Sequence, residues 1–191
     1  MSTNPQESCL LNLHAVLPRT RVNGPGVRFG VWMQGCTLGC RGCFNPETHS
    51  TEPNEQVAVG DLVERIAAEA DEIEGVTISG GEPLQQPRAL LELVRGVGDS
   101  TDLSVVLFSG YELREIEGMS LGPDILDHVD VLIAGRYEVE RRLARGLRGS
   151  ANQTVHLLTD RYSMEEIEAV PEAEIEIDPS GNVMVSGIDP P

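Results

Sequence analysis

The sequence predicts an α/β fold: an incomplete parallel (β/α) barrel with a C-terminal β-hairpin. Three observations carry that expectation. Short apolar runs bounded by turn residues alternate with stretches of helical apolar spacing, the pattern of βαβ units. The right-handed crossover of such units brings the ends of the parallel strands to one edge of the sheet. With 191 residues, the chain falls short of the about 250 that a closed eight-unit barrel usually takes.

Each element follows from its own stretch of sequence. Residues 9–17 (CLLNLHAVL) are apolar and read as an edge strand. Gly24, Pro25 and Gly26 mark a turn. Residues 27–33 (VRFGVWM) read as a buried strand, with Trp32 and Met33 in the core, and a Gly-rich cysteine segment follows directly. Residues 57–72 space Val59, Leu62, Val63, Ile66 and Ala70 as one face of a helix. Residues 75–79 (GVTIS) are a short strand ended by Gly80, Gly81 and Pro83. Leu90, Leu91 and Val94 give 86–97 a helical face, and 103–108 (LSVVLF) is a buried strand. Helical segments at 111–118 and 122–128 precede a strand at 129–134 (VDVLIA). Residues 174–186 alternate apolar and polar around a Pro-Ser-Gly-Asn turn, which predicts a hairpin. The chain reads as one domain over 1–191, with a core at about 10–160, a hairpin extension at about 161–188 and a loose tail.

Composition narrows the function. Acidic residues number 31 against 14 basic ones, a net charge of −17. Phosphate backbones and anionic membranes both require concentrated Lys and Arg, so neither is an expected partner. The acidic excess reads as a solvated exterior. No apolar run approaches a membrane span, and Met1–Ser8 lack the layout of a secretory signal. A cytoplasmic location is therefore expected. Of four cysteines, three are tightly clustered, which does not resemble a disulfide framework. In a reducing compartment, such a cluster points to metal binding.

Cys36, Cys40 and Cys43 have the spacing C-x3-C-x2-C, with Gly35, Gly39 and Gly42 between and beside them. A short loop rich in glycine can fold back so that three thiolates grip one iron–sulfur cluster. The competing reading is a Cys3His zinc site using His49. Spacing favours iron–sulfur, and Cys9, far upstream, reads as a free thiol. The cysteine loop, the turn Gly80-Gly81-Glu82-Pro83 and the turn Ser109-Gly110 all follow strands. All three therefore fall on the edge where α/β folds bind ligands. Glu82 offers a carboxylate acceptor for an ammonium group.

The cysteine triplet with Gly80-Gly81-Glu82-Pro83 resembles the radical S-adenosylmethionine (SAM) superfamily. More narrowly, Gly24-Pro25-Gly26, Gln34-Gly35-Cys36, Gly42-Cys43-Phe44-Asn45-Pro46 and Thr48-His49 are similar to the activating enzymes of anaerobic ribonucleotide reductase. Ser109-Gly110-Tyr111, Ile133-Ala134-Gly135 and Leu147-Arg148-Gly149-Ser150-Ala151-Asn152-Gln153 extend the similarity over about 10–188. The chain departs mildly by carrying Glu82 where many such relatives carry Asp. Its aromatic, Phe44, follows the third cysteine, as in the activating enzymes rather than in most of the superfamily.

The resemblance implies an enzyme with a 4Fe–4S cluster on Cys36, Cys40 and Cys43, whose open iron takes SAM. An electron passed into the sulfonium yields a deoxyadenosyl radical that abstracts hydrogen. Gly80, Gly81, Glu82 and Pro83 would bind the methionyl amino group. Phe44 would pack on the adenine, Asn45 would brace the loop, and Ser109 and Gly110 with Tyr111 would line the ribose side. Arg28 and Arg41 flank the cluster in sequence. The implied partners are a glycyl radical enzyme and a flavodoxin or ferredoxin reductant. Two alternatives stand beside this one: a stand-alone radical SAM enzyme acting on a small molecule or peptide, and a non-catalytic zinc or iron–sulfur module. Asn152 and Gln153 receive no chemistry, and His156 reads as a strand histidine.

Overall fold

The structure is a computed structural model that describes residues 9–177, 180–181 and 183–188. The chain runs β1 (Leu10–Thr20), β2 (Arg28–Met33), the cysteine loop, β3 (Glu55–Ala58) and α1 (Val59–Ala68). It continues through β4 (Gly75–Gly80), α2 (Pro87–Ser100), β5 (Ser104–Ser109), α3 (Leu113–Glu117), α4 (Gly122–Leu126) and β6 (Val131–Ala134). Then come β7 (Arg142–Arg145), β8 (Arg148–Ser150), β9 (Thr154–Leu157), α5 (Met164–Glu168) and the hairpin β10 (Ala173–Ile177) with β11 (Val183–Gly187).

Seven strands form one sheet in the order β3-β1-β2-β4-β5-β6-β9. β2, β4, β5 and β6 are parallel neighbours. β1, β3 and β9 join antiparallel. The sheet is thus mixed: its four central strands are parallel, as expected of a mainly parallel sheet, and the antiparallel outer strands are what the expectation lacked. A short connection of about seven residues explains β1 and β2, because a parallel pair needs a crossover of about a dozen residues or more. β1 is also not an edge strand, since β3 pairs outside it. Glu55 and Gln56 gave β3 no apolar alternation to be read from.

Strand alternation gives the sheet two unlike faces. Phe29, Val31, Met33, Val76, Ile78, Val105, Leu107 and Leu132 point to one core with the helices. α1 supplies Leu62 and Ile66, α2 supplies Leu90, Leu93 and Val97, and Ile116 and Ile125 come from α3 and α4. Each such side chain contributes roughly 1.5–3 kcal/mol by leaving water. α2 begins on Pro87, which suits a first-turn position. It stops where Thr101 folds back, its N–H and hydroxyl both donating to the Val97 carbonyl at 3.0 and 2.8 Å.

The opposite face is closed at one end only. There Val106, Val131 and Ile133 meet Leu147, Ile167 and Val170. α5 is held at that end by a capping box: the Ser163 hydroxyl accepts from the Glu166 N–H, and the Glu166 carboxylate accepts from the Ser163 N–H at 2.8 Å. Arg28 fills the same end. It is fully buried and donates to Thr77 Oγ1 (2.7 Å), the Val76 carbonyl (2.9 Å) and the Tyr162 hydroxyl (3.1 Å). Arg28 therefore does not flank the cysteine loop, because it opens β2 and the loop follows the strand's far end. Among the described residues, no helix is long and apolar enough to cross a membrane.

Candidate iron–sulfur site

The cysteine loop leaves β2 at Gln34 and is tied at its neck. The N–H of Gly35 donates to Thr48 O at 2.8 Å and that of Cys36 to His49 O at 3.2 Å. The Gln34 amide donates to the carbonyls of Ser50 (2.8 Å) and Glu47 (3.3 Å). Inside the loop, Thr48 Oγ1 donates to Asn45 O at 2.7 Å. Gly35, Gly39 and Gly42 sit at φ +105°, +65° and +71°, backbone that L side chains rarely adopt. Three left-handed steps between and beside the cysteines let the loop turn back on itself.

The loop is clamped to the turn after β4. Gly81 N–H donates to Met33 O at 2.8 Å and Glu82 N–H to Gly35 O at 2.9 Å. A Cβ on Gly81 would lie 2.3 Å from Gly35 O, and one on Gly80 would lie 2.5 Å from the Met33 backbone. Contact between the two loops thus requires both glycines whatever is bound. Gln85 adds a further tie, accepting from the Thr37 N–H at 3.0 Å and donating to Thr37 Oγ1 at 2.8 Å.

Glu82 joins this edge to the next strand. Its carboxylate accepts from Leu84 N–H (3.0 Å), Ser109 Oγ (3.0 Å) and Gly110 N–H (2.7 Å). Burial pushes its carboxyl up to about 7, against the pull of those three donors and of Arg136. Three donors leave one of about four acceptor positions for a ligand. Ser109 is engaged as well, since its hydroxyl also accepts from the Tyr111 N–H at 3.0 Å.

One hollow is lined by Cys36, Cys40, Cys43, Phe44, Asn45, Gly80, Gly81, Glu82, Ser109 and Gly110, while Pro83 and Tyr111, also expected in the site, are not among its lining residues. Pro83 is buried behind it and opens a short 3-10 turn. Burial raises the Cys36 and Cys43 thiols, while backbone hydrogen bonds from Leu38 and Asn45 pull the other way. Among the described residues, no three His, Cys, Asp or Glu side chains converge on a single ion. His49 is not among the residues that line the hollow; its backbone carbonyl accepts from the Cys36 N–H. Three cysteines share the hollow, and the donor set is the thiolate set that an iron–sulfur cluster takes.

Several lining residues escape a linear reading. Trp32, Ser79 and Phe108 line the hollow from adjacent strands, on the face opposite the helices. Alternation along β2, β4 and β5 was the signal that could have found them, and Trp32 is accordingly half-buried rather than in the core. Tyr137 stands edge-on to Phe44, with centroids 5.3 Å apart, and both rings pack over Gly149. Gln153 accepts from the N–H groups of Gly149 (2.8 Å) and Ser150 (3.1 Å) and donates to Gly135 O (2.9 Å). Asn152 donates to Arg136 O at 2.7 Å. These two amides fix the loop that carries Tyr137. His156 lies in β9, as a strand histidine should. Arg41 is exposed and pairs with Glu140 at 3.2 Å.

A three-cysteine hollow at the ends of parallel strands defines a single-cluster iron–sulfur protein, and the family model described as "4Fe-4S single cluster domain" matches residues 22–156. Three similar proteins narrow this. The anaerobic ribonucleoside-triphosphate reductase-activating protein of Vibrio cholerae is 32% identical over 158 residues, spanning 78% of this chain and 99% of that one. The protein of the same description from Enterobacteria phage T4 is 32% identical over 155 residues (78% and 96%). The one from Escherichia coli K12 is 28% identical over 155 residues (78% and 99%). The chain belongs to the family of anaerobic ribonucleoside-triphosphate reductase-activating proteins. A solved structure, QueE from Escherichia coli, aligns over 53% of this chain and 52% of that one at 19% identity and a TM-score of 0.44, too slight a likeness to carry weight.

Proposed function

We propose that this chain is a radical SAM activating enzyme that takes a hydrogen atom from a glycyl radical enzyme, the anaerobic ribonucleoside-triphosphate reductase. The carrying observation is the one hollow that gathers Cys36, Cys40 and Cys43 with the Gly80–Glu82 turn and the Ser109–Gly110 turn. When bound, a 4Fe–4S cluster supplies the electron that cleaves SAM to the hydrogen-abstracting radical.

The chain's own residues prepare that chemistry. Cys36, Cys40 and Cys43 hold the cluster. The Gly80–Gly81 backbone and the free acceptor position of Glu82 receive the methionyl ammonium, with Pro83 fixing the turn behind them. Phe44, braced by Tyr137 and by the Asn45 turn, offers its face to the adenine. Ser109 and Gly110, held by Glu82, border the ribose. Trp32 and Phe108 make the floor apolar, which keeps water from a reactive intermediate. Within this reading the four parallel strands and their helices are the retained part of a (β/α) barrel. The core at about 10–160 and the extension beyond it form one domain. A flavodoxin or ferredoxin is the natural electron source.

The test is electron paramagnetic resonance on the reductase after anaerobic incubation with the reconstituted chain, SAM and dithionite. A doublet from a glycyl radical, absent without the chain, is the expected result. Its absence while SAM is still cleaved would move the reading to a small-molecule or peptide substrate.

A further inference from the structure

The C-terminal hairpin presents its apolar side outward. Ile175 pairs with Val185 and Ile177 with Val183. Cross-strand pairing at a two-residue interval puts all four on one face. They are 56%, 42%, 66% and 60% exposed in that order. The hairpin is anchored by its base and its other side. Ile188 is buried with its N–H on Glu172 O at 3.0 Å. Glu174 accepts from Thr20 Oγ1 (3.2 Å) and the Arg21 N–H (3.0 Å). The outer face therefore belongs to a fixed platform in an otherwise acidic, charged protein.

This face leads somewhere. Val185 borders a groove of about 350 Å³ whose other walls include Leu17, Trp32 and Phe44. Trp32, Phe44, Asn45 and Gly187 line both this groove and the cysteine hollow, and Ile188 also reaches the hollow. Whatever lies on the hairpin is thus directed along the groove to the site. The family model matches residues 22–156, so the hairpin lies beyond the matched stretch.

We propose that the outer face of the hairpin docks the substrate protein, taking an extended apolar segment of it and guiding the adjoining glycine loop along the Val185–Trp32–Phe44 groove. This rests on the activating-enzyme reading above. A two-stranded ribbon suits such an occupant, because an extended chain can add to it through main-chain hydrogen bonds while alternate side chains meet the apolar face. Four neighbouring apolar side chains, each more than 40% exposed, form a contiguous patch rather than the singly scattered apolar residues that need no explanation. A second copy of this chain fits less well, since a stable dimer buries ~800 Å² from each partner. A second copy would also leave the groove unused.

The test compares the holoenzyme with an Ile177→Thr/Val183→Thr double variant. Threonine keeps the β-branch and removes apolar surface. Binding to the anaerobic reductase from the same genome is measured by calorimetry under anaerobic conditions. Deoxyadenosine formation without the reductase is measured in parallel. The double variant should bind at least tenfold more weakly while its uncoupled SAM cleavage stays within twofold of wild type. An Ile177→Val/Val183→Ile swap, which keeps the apolar surface, should bind as the wild type does. Equal binding by the threonine variant and the wild type overturns the proposal alone. No binding by the wild type removes the activating-enzyme reading and the proposal with it. Sedimentation closes the remaining case: a wild-type dimer that the threonine variant dissociates, with reductase affinity unchanged, assigns the face to a second copy and overturns the proposal.

Discussion

The cysteine loop and the C-terminal hairpin are built on opposite principles. The loop at 34–50 is exposed in sequence character yet tied at nearly every step: neck carbonyls, the Gln34 amide, the Gly81 contact and the Gln85 bridge. The hairpin alternates apolar and polar residues and turns its apolar side to solvent. A site that must hold a cluster in one geometry is overdetermined by hydrogen bonds and backbone that only glycine accepts. A surface that must meet a partner is left unsatisfied until the partner arrives. The first region lies within the family model and the second beyond its end.

The largest expected effect belongs to the loop. Replacing Gly81 by Ala places a methyl group 2.3 Å from Gly35 O, where neither backbone has room to yield. The two loops must separate, at a cost on the order of 1–3 kcal/mol. Cluster content after reconstitution, read from iron analysis and visible absorbance, should fall severalfold. Full loading in this variant would show that the clamp is dispensable.

A second prediction uses Glu82. Its folded value is raised to about 7, above that of an exposed carboxyl, so the stabilising form is the protonated one. That contribution is complete below the ordinary Glu range and is lost as pH rises through about 7. In the metal-free chain the loss is on the order of 3 kcal/mol. Glu82→Gln cannot titrate, and its amide N–H2 would face the Gly110 N–H that Glu82 Oε2 now accepts. The variant should therefore be less stable by about 1–3 kcal/mol at pH 5. Denaturant melts from pH 5 to pH 8 should show that gap narrowing as pH rises. A constant gap would mean that Glu82 is ionised throughout.

The third effect is moderate. Gln153→Ala leaves the N–H groups of Gly149 and Ser150 and the Gly135 carbonyl without this side chain. It should cost about 1–3 kcal/mol and weaken SAM binding by loosening Tyr137 and Phe44, readable by equilibrium dialysis. The smallest effect belongs to the hairpin. Ile177→Thr alone should change folding stability by less than about 0.5 kcal/mol, as exposed positions do. A larger loss would show that the face is covered within the chain itself.

The same contrast marks what the sequence could tell. The three cysteines, both turns and the hairpin were legible because glycine, proline and strict alternation are local signals. The elements at 59–68, 87–100 and 104–109 were legible from apolar spacing. β7 and β8 were not: Arg142–Arg145 and Arg148–Ser150 carry no apolar alternation, and Ala144 and Leu147 adopt positive φ, which their residue types do not announce. The burial of Arg28 was equally hidden, because its neutral partners Thr77, Ser104 and Tyr162 come from distant segments. Gln153 and Tyr137 entered the site only through tertiary contact. Which way the hairpin's apolar face points depends on what packs against it, and alternation is silent on that.

The most direct test of the central claim is anaerobic SAM cleavage. The purified chain is reconstituted with iron and sulfide, given SAM and dithionite, and assayed for 5′-deoxyadenosine by mass spectrometry beside a Cys40→Ala variant. Product from the wild type and none from the variant is the predicted result. A wild type that binds a 4Fe–4S cluster and SAM yet yields no deoxyadenosine, with the reductase present, would contradict it.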